Sequence, residues 1–208
     1  MEQLGYVFKN DEAALTKEVK EAGICFLHAP LFHPALKTVG PIRRNLGLRT
    51  FFNMLGPIVN PAKPAYQLIG VYNLEMARIY NYAMQSLGKE FTLIHSLDGY
   101  DEISLTSDTK IISNKGEFIM TPYQLGKRKV FPEELYGGNT VEAAATLFKK
   151  IIQGNGSWSQ NAVVLANAAM ALQLTGQYEN YEAAFQAAVK SLESGAANHC
   201  LNQLISLQ

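Results

Sequence analysis

Residues 66–97 read Tyr-Gln-Leu-Ile-Gly-Val-Tyr-Asn-Leu-Glu-Met-Ala-Arg-Ile-Tyr-Asn-Tyr-Ala-Met-Gln-Ser-Leu-Gly-Lys-Glu-Phe-Thr-Leu-Ile-His-Ser-Leu. Three elements are legible in this stretch. Tyr66 to Tyr72 is a short aromatic and β-branched run of strand type. Leu74 to Leu87 repeats apolar residues at helical spacing and stops at Gly88. Glu90 to Leu97 is a strand again. A strand-helix-strand unit closes right-handed and builds a parallel sheet, and sheets of that kind bind ligands beyond the carboxyl ends of their strands. The loop after Leu97 is therefore a candidate ligand loop, and it reads Asp98-Gly99-Tyr100-Asp101-Glu102.

Working outward, Ile103 to Pro122 changes to short β-type runs broken by Ser-Asp and Asn-Lys-Gly, which predicts a hairpin or antiparallel edge. After Gly137-Gly138 helices dominate, at about Thr140 to Gln153, Ser159 to Leu174, Tyr181 to Glu193 and a last segment to Leu207. Ala162, Ala166, Ala169 and Ala171 give one of them a face that allows close packing. Toward the N-terminus, Asp11 and Gly23 bracket a helix as cap acceptor and stop. Ile24 to Leu27 reads as a short buried strand, and His33-Pro34 opens a second helix to about Leu46, broken or kinked at Pro41. The expected fold is α/β: a mixed, mainly parallel sheet flanked by helices, with an antiparallel hairpin region and a helix-rich C-terminal third. No repeat or linker divides the 208 residues, so 1–208 reads as a single domain.

Composition excludes several functions. Eighteen Lys plus Arg balance eighteen Asp plus Glu, which leaves no broad basic footprint for nucleic acid. No apolar run approaches the ~20 residues of a membrane span, and the N-terminus lacks a secretory pattern. Cys25 and Cys200 stand singly in apolar surroundings and read as buried free thiols of a reducing compartment. The expectation is a soluble, cytoplasmic protein.

Two segments could carry chemistry. Asp98, Asp101 and Glu102 put three carboxylates on one tight loop, which suits either a solvated acidic turn or Mg²⁺, a hard cation bound by one or two carboxylates plus substrate phosphates. Gly40 to Pro61 packs Arg43, Arg44 and Arg49 among apolar residues, two Gly-Pro pairs and three asparagines, a mixture suited to holding a small anion. Arg43 and Arg44 cannot share a helix face, so they cannot both face one pocket, and a guanidinium that does face it could hold a carboxylate or phosphate bidentately. His28 and His33 are five apart with no Cys or Asp beside them, which makes zinc a poor reading. No nucleophile elbow, Gly-x-Gly-x-x-Gly or Walker loop occurs in the sequence.

Phe26 to Lys37, Arg43 to Pro61 and Asp98 to Leu105 together resemble anthranilate phosphoribosyltransferase. The likeness continues more weakly through Gly137-Gly138, Asn161 to Ala171 and Ser194 to Ala197. The resemblance implies a small helical domain joined to a larger α/β domain. It also implies transfer of the phosphoribosyl group of 5-phosphoribosyl 1-diphosphate to the amine of anthranilate, in tryptophan biosynthesis. It assigns Arg43 to the anthranilate carboxylate, Ala29, Pro30, His33, Gly56 and Pro57 to the aromatic substrate's channel, and Asp101 with Glu102 to Mg²⁺ on the diphosphate. No residue is assigned as general acid or base. Leu36 and His28 depart from residues common at those positions in the family. The family's Gly-Thr-Gly-Gly-Asp and Lys-His-Gly-Asn stretches have no counterpart here.

The chain therefore corresponds to the C-terminal part of such an enzyme and is expected to be inactive alone, its partner being the N-terminal part or further copies of itself through self-association. The alternatives are a pyrimidine nucleoside phosphorylase-like enzyme and a non-catalytic binding module. Arg43 with the Asp101–Glu102 pair favours the carboxylate acceptor and the metal-bound diphosphate.

Overall fold

A computed structural model describes residues 1–33 and 55–208, which group into two compact units. No linker marks the division, because the first unit is discontinuous: Met1–Lys63 is completed by Ala196–Gln208, while Pro64–Gly195 forms the second.

In the first unit, α1 spans Glu12–Ala22 between the expected caps. The Asp11 carboxylate accepts from the N–H of Ala14, and Gly23 adopts φ 78°, the left-handed conformation that terminates helices and favours glycine. A short α2, Ala29–Phe32, carries Pro30 in its first turn, and α3 spans Leu55–Ile58. Around Tyr6, α1 and the last helix of the chain enclose a small core of Tyr6, Ala22 and Leu204. Glu18 is buried inside it, and Lys9 (2.8 Å), the Tyr6 hydroxyl (2.8 Å) and Gln208 (3.2 Å) all reach its carboxylate.

Ile24 to Leu27, expected as a buried strand, belongs to no strand: Ile24 is exposed, Cys25, Phe26 and Leu27 are half-buried, and no described strand of this unit offers a ladder. The Phe26 N–H instead donates to the Tyr6 hydroxyl at 3.4 Å. The helix expected from His33 to about Leu46 lies outside the described residues, except that His33 closes α2. Cys25 and Cys200 are free and half-buried rather than buried, the Cys200 thiol donating to the Ala22 carbonyl at 2.8 Å.

The second unit holds the predicted strand-helix-strand motif: β1 Tyr66–Gly70, α4 Leu74–Ser86 and β2 Glu90–Ser96. Asn73 caps α4 through the N–H of Met76. β1 and β2 pair in parallel, with Tyr66 opposite Glu90 and Gly70 opposite Ile94. The hairpin region supplies β3 Thr109–Ser113 and β4 Gly116–Met120, both pairings antiparallel, so the described sheet runs β1-β2-β3-β4 with one parallel and two antiparallel pairings. At the hairpin tip the Asn114 side chain accepts from Phe91 N–H and donates to the Lys89 carbonyl, tying the turn to the start of β2.

Six of the seven β2 residues are buried, so both of its faces are covered. α4 packs on β2 and β3, and α7 (Trp158–Leu174) packs on β1 and β2. The helical third also contains α5 Pro122–Gly126, α6 Val141–Ile152, α8 Tyr181–Glu193 and, in the first unit, α9 Ala196–Ser206. The alanine face of α7 (Ala162, Ala166, Ala169) lies in one core with Ile94, Ile103, Leu105, Ile111 and Phe185. Full burial of side chains the size of Ile94 or Phe185 contributes about 1.5–3 kcal/mol each.

Candidate functional site

β2 ends at Ser96, and the acidic turn follows it at the carboxyl end of the parallel pair. The structure sorts its three carboxylates into two roles. Asp98 turns toward hydroxyls: its Oδ1 accepts from Ser107 at 2.9 Å and its Oδ2 from Thr106. Ser104 stands 2.7 Å from the Thr106 hydroxyl and donates to Ser96 at 3.1 Å, and Ser96 donates to the Glu102 carbonyl at 2.6 Å. Asp98 thus anchors a buried hydroxyl chain, while the side chains of Asp101 and Glu102 remain exposed.

Further contacts set the backbone of this turn. Ser96 N–H donates to the Tyr100 carbonyl at 3.0 Å, and Gly99 N–H to the Ser96 carbonyl at 2.9 Å. The Asn167 side chain binds both main-chain groups of Ile103. A Cβ on Gly70, at the end of β1, would lie 1.6 Å from the Asp101 carbonyl oxygen, so the turn approaches β1 as closely as only glycine allows. Leu105 adopts φ 59° with its side chain fully buried, a left-handed conformation that a non-glycine residue holds only when its surroundings over-determine it. The Val130 N–H, which donates to the Leu105 carbonyl at 2.9 Å, is one such constraint.

Partial desolvation by the surrounding chain, at a side chain that still reaches solvent, pushes the Glu102 carboxyl above the usual carboxylate range, and the neighbouring Asp101 charge adds to the shift. Two adjacent hard-oxygen donors that repel one another are a donor set a divalent cation would relieve, and Mg²⁺ characteristically takes one or two carboxylates and completes its octahedron with phosphate and water. Asp101 and Glu102 fit that description. Among the described residues no cluster of three or more His, Cys, Asp and Glu side chains could enclose a metal by itself.

The remaining sequence-predicted residues lie in the first unit. Ala29 and Pro30 form the first turn of α2, half-buried and exposed respectively, and half-buried His33 follows its end. Gly56 and Pro57 lie in α3, exposed and half-buried. Arg43, Arg44, Arg49 and Leu36 lie outside the described residues. His28 caps α2, its ring 4.8 Å from that of Phe8. The hydroxyl chain was foreshadowed by Ser-Leu-Thr-Ser-Asp-Thr at 104–109, a hydroxyl-rich run directly after the acidic turn. Asn167 gave no signal, being one of four amides in α7 beside Gln160, Asn161 and Gln173.

The match to a family model decides the class: the chain belongs to the glycosyl transferase family, a/b domain, which it matches over residues 1–198, and a mixed α/β sheet with an acidic turn at the carboxyl end of a parallel strand agrees with it. Within that family it is similar to the anthranilate phosphoribosyltransferase of Flavobacterium johnsoniae, 51% identical over 207 residues. That match takes in the whole of this chain and 62% of the relative. Among solved structures it is similar to anthranilate phosphoribosyltransferase from Thermus thermophilus, with a TM-score of 0.88 and 30% identity over 99% of this chain and 62% of that one. It is also similar to the Saccharomyces cerevisiae enzyme in complex with PRPP and Mg, with a TM-score of 0.88 and 26% identity over 99% and 59% of the two chains. The chain thus spans about three fifths of the length of these relatives. No helix among the described residues is long and apolar enough to cross a membrane.

Proposed function

We propose that the chain acts in phosphoribosyl transfer from 5-phosphoribosyl 1-diphosphate to the amine of anthranilate, supplying the metal carboxylates and the acceptor pocket. The observation that carries this reading is the exposed Asp101–Glu102 pair, set at the carboxyl end of β2 on a turn fixed from several sides. Those two side chains hold Mg²⁺, which when bound neutralises the charge that develops on the departing diphosphate. Arg43 pairs with the anthranilate carboxylate, and Ala29, Pro30, His33, Gly56 and Pro57 line the channel of its ring. An aryl amine is neutral at pH 7, so the protein positions the two reactants and needs no strong base. The ligands are small anions, in keeping with a chain whose formal charges cancel and which presents no nucleic-acid footprint. The chain also self-associates, or pairs with the part of such an enzyme that carries the donor-binding glycine loop, and works in the cytoplasm.

Anthranilate is fluorescent, so its binding can be titrated directly against wild type and Arg43→Ala. Saturable binding to wild type, weakened at least about tenfold in Arg43→Ala, is the expected result, since a bidentate charge-assisted pair contributes about 1.5–3 kcal/mol. Equal and absent binding in both would remove the acceptor site and leave a non-catalytic module. In parallel, the isolated chain supplied with both substrates and Mg²⁺ should turn over far below an intact enzyme; a rate near that of the intact enzyme would remove the need for a second component.

A further inference from the structure

At its downstream end the acidic turn is engaged by a side chain from a distant helix. Asn167, on α7, accepts from the Ile103 N–H at 3.0 Å through Oδ1 and donates to the Ile103 carbonyl at 2.9 Å through Nδ2. The same Nδ2 donates to the Val163 carbonyl, one turn back in its own helix, at 2.9 Å. These three partners fix the amide's orientation, because exchanging oxygen and nitrogen would set a donor against a donor and an acceptor against two carbonyls. Ile103 is the residue after Glu102, so the amide engages the main chain as a strand partner would, next to the carboxylate pair. Upstream, Ser96 holds the Glu102 and Tyr100 carbonyls, and Gly70 admits the Asp101 carbonyl against β1. α7 is itself locked to β1 and β2 by its alanine face. Asn167 therefore adds a polar tie, through the main chain of Ile103, to the apolar packing of the Ile103 side chain on α7.

We infer that Asn167 is a positioning residue for the cation site: by clamping both backbone groups of Ile103 it fixes the direction in which Asp101 and Glu102 project, and so sets the affinity of that pair for a divalent ion. This rests on the reading of Asp101 and Glu102 as the Mg²⁺ carboxylates. It goes beyond satisfying a buried peptide, because thermodynamic linkage makes it reciprocal. If the clamp strengthens cation binding, bound cation strengthens the clamp by the same factor.

The test uses this chain with metal ions as the only probes. In wild type, Mn²⁺ should broaden the amide resonances of Asp101 to Ile103, and the double variant Asp101→Asn/Glu102→Gln should abolish that broadening. Asn167→Ala, and the nearly isosteric Asn167→Leu in case alanine leaves too large a gap, should weaken Mn²⁺ binding about tenfold, at the lower end of what loss of an outer-shell partner costs. Leu192→Ala, which removes a buried side chain of α8 that is not among the core residues clustered with Ile103, should lower the melting temperature and leave the Mn²⁺ affinity unchanged.

A further measurement needs no variant at Asn167. Saturating Mg²⁺ should slow hydrogen exchange of the wild-type Ile103 amide by about the same tenfold factor. Wild-type affinity in a folded Asn167 variant, or Ile103 exchange indifferent to a Mg²⁺ that does bind, would overturn the inference and leave the metal site standing. Absence of Mn²⁺ broadening at the turn in wild type would overturn the metal reading, and the inference with it.

Discussion

At the scale of single residues, the acidic pentapeptide shows how identical chemistry is divided by environment. Asp98 and Asp101 are both exposed aspartates three residues apart, yet the first is engaged by two hydroxyls and the second points to solvent beside Glu102. Glu102 carries the consequence. Its pKa is raised by partial desolvation and by Asp101, so the folded state holds this proton more tightly than the unfolded chain does. The stabilisation that follows is fully present below the unfolded value of about 4.3 and is lost as pH rises through the higher folded value. At neutral pH the ionised Glu102 is a net cost. Glu102→Gln should therefore raise the melting temperature at pH 7, by less than about 1 kcal/mol because the charge is exposed and screened. The gain should vanish near pH 4, where the wild-type carboxyl is protonated. Thermal melts at the two pH values check this, and a loss of stability at pH 7 would contradict it.

Among the elements, the junction of β1 with the acidic turn is the most sterically constrained. A methyl group at position 70 would meet the Asp101 carbonyl oxygen at 1.6 Å and its carbon at 2.7 Å, both backbone atoms that cannot rotate aside. Gly70→Ala should cost about 1–3 kcal/mol, as overpacking does, and should move the amide resonances of Asp101 and Glu102. Unchanged melting and unchanged turn resonances would show that the approach is looser than the geometry states. This contact also marks what the sequence could reveal. β1, α4, β2 and the hairpin announce themselves through periodicity and through caps such as Asn73, because those signals are local. The acidic turn is local too, and it was legible. Asn167 meets Ile103 across 64 residues and Gly70 meets Asp101 through space, so neither leaves a mark in spacing. Ile24 to Leu27 is the converse case. Its composition is that of a strand, but a strand needs a neighbour, and among the described strands of its unit it has none.

For the whole molecule, surface decides behaviour. Short isolated helices are marginal in water and owe most of their stability to packing of an apolar face, yet α6 has no buried residue, although its two ends are capped by Thr140 and closed at Gln153. Val141 is 65% exposed and Phe148 42% exposed; Ala145 and Ile152 fall on the same stripe at helical spacing and are half-buried. Exposed apolar stripes of this kind are where monomers associate. The chain is therefore expected to sediment as a concentration-dependent mixture at tens of micromolar. Phe148→Glu should shift the midpoint of that association at least about tenfold toward higher concentration, because burying a side chain of that size contributes about 1.5–3 kcal/mol. Since α6 is not part of the acidic turn, the same variant should leave Mn²⁺ broadening at Asp101 and Glu102 intact, which separates assembly from ligand binding. A wild-type chain that remains a single monomeric species at about 50 µM, with Phe148→Glu indistinguishable from it, would show that α6 is stable without a partner and that its apolar stripe is only a solvated surface.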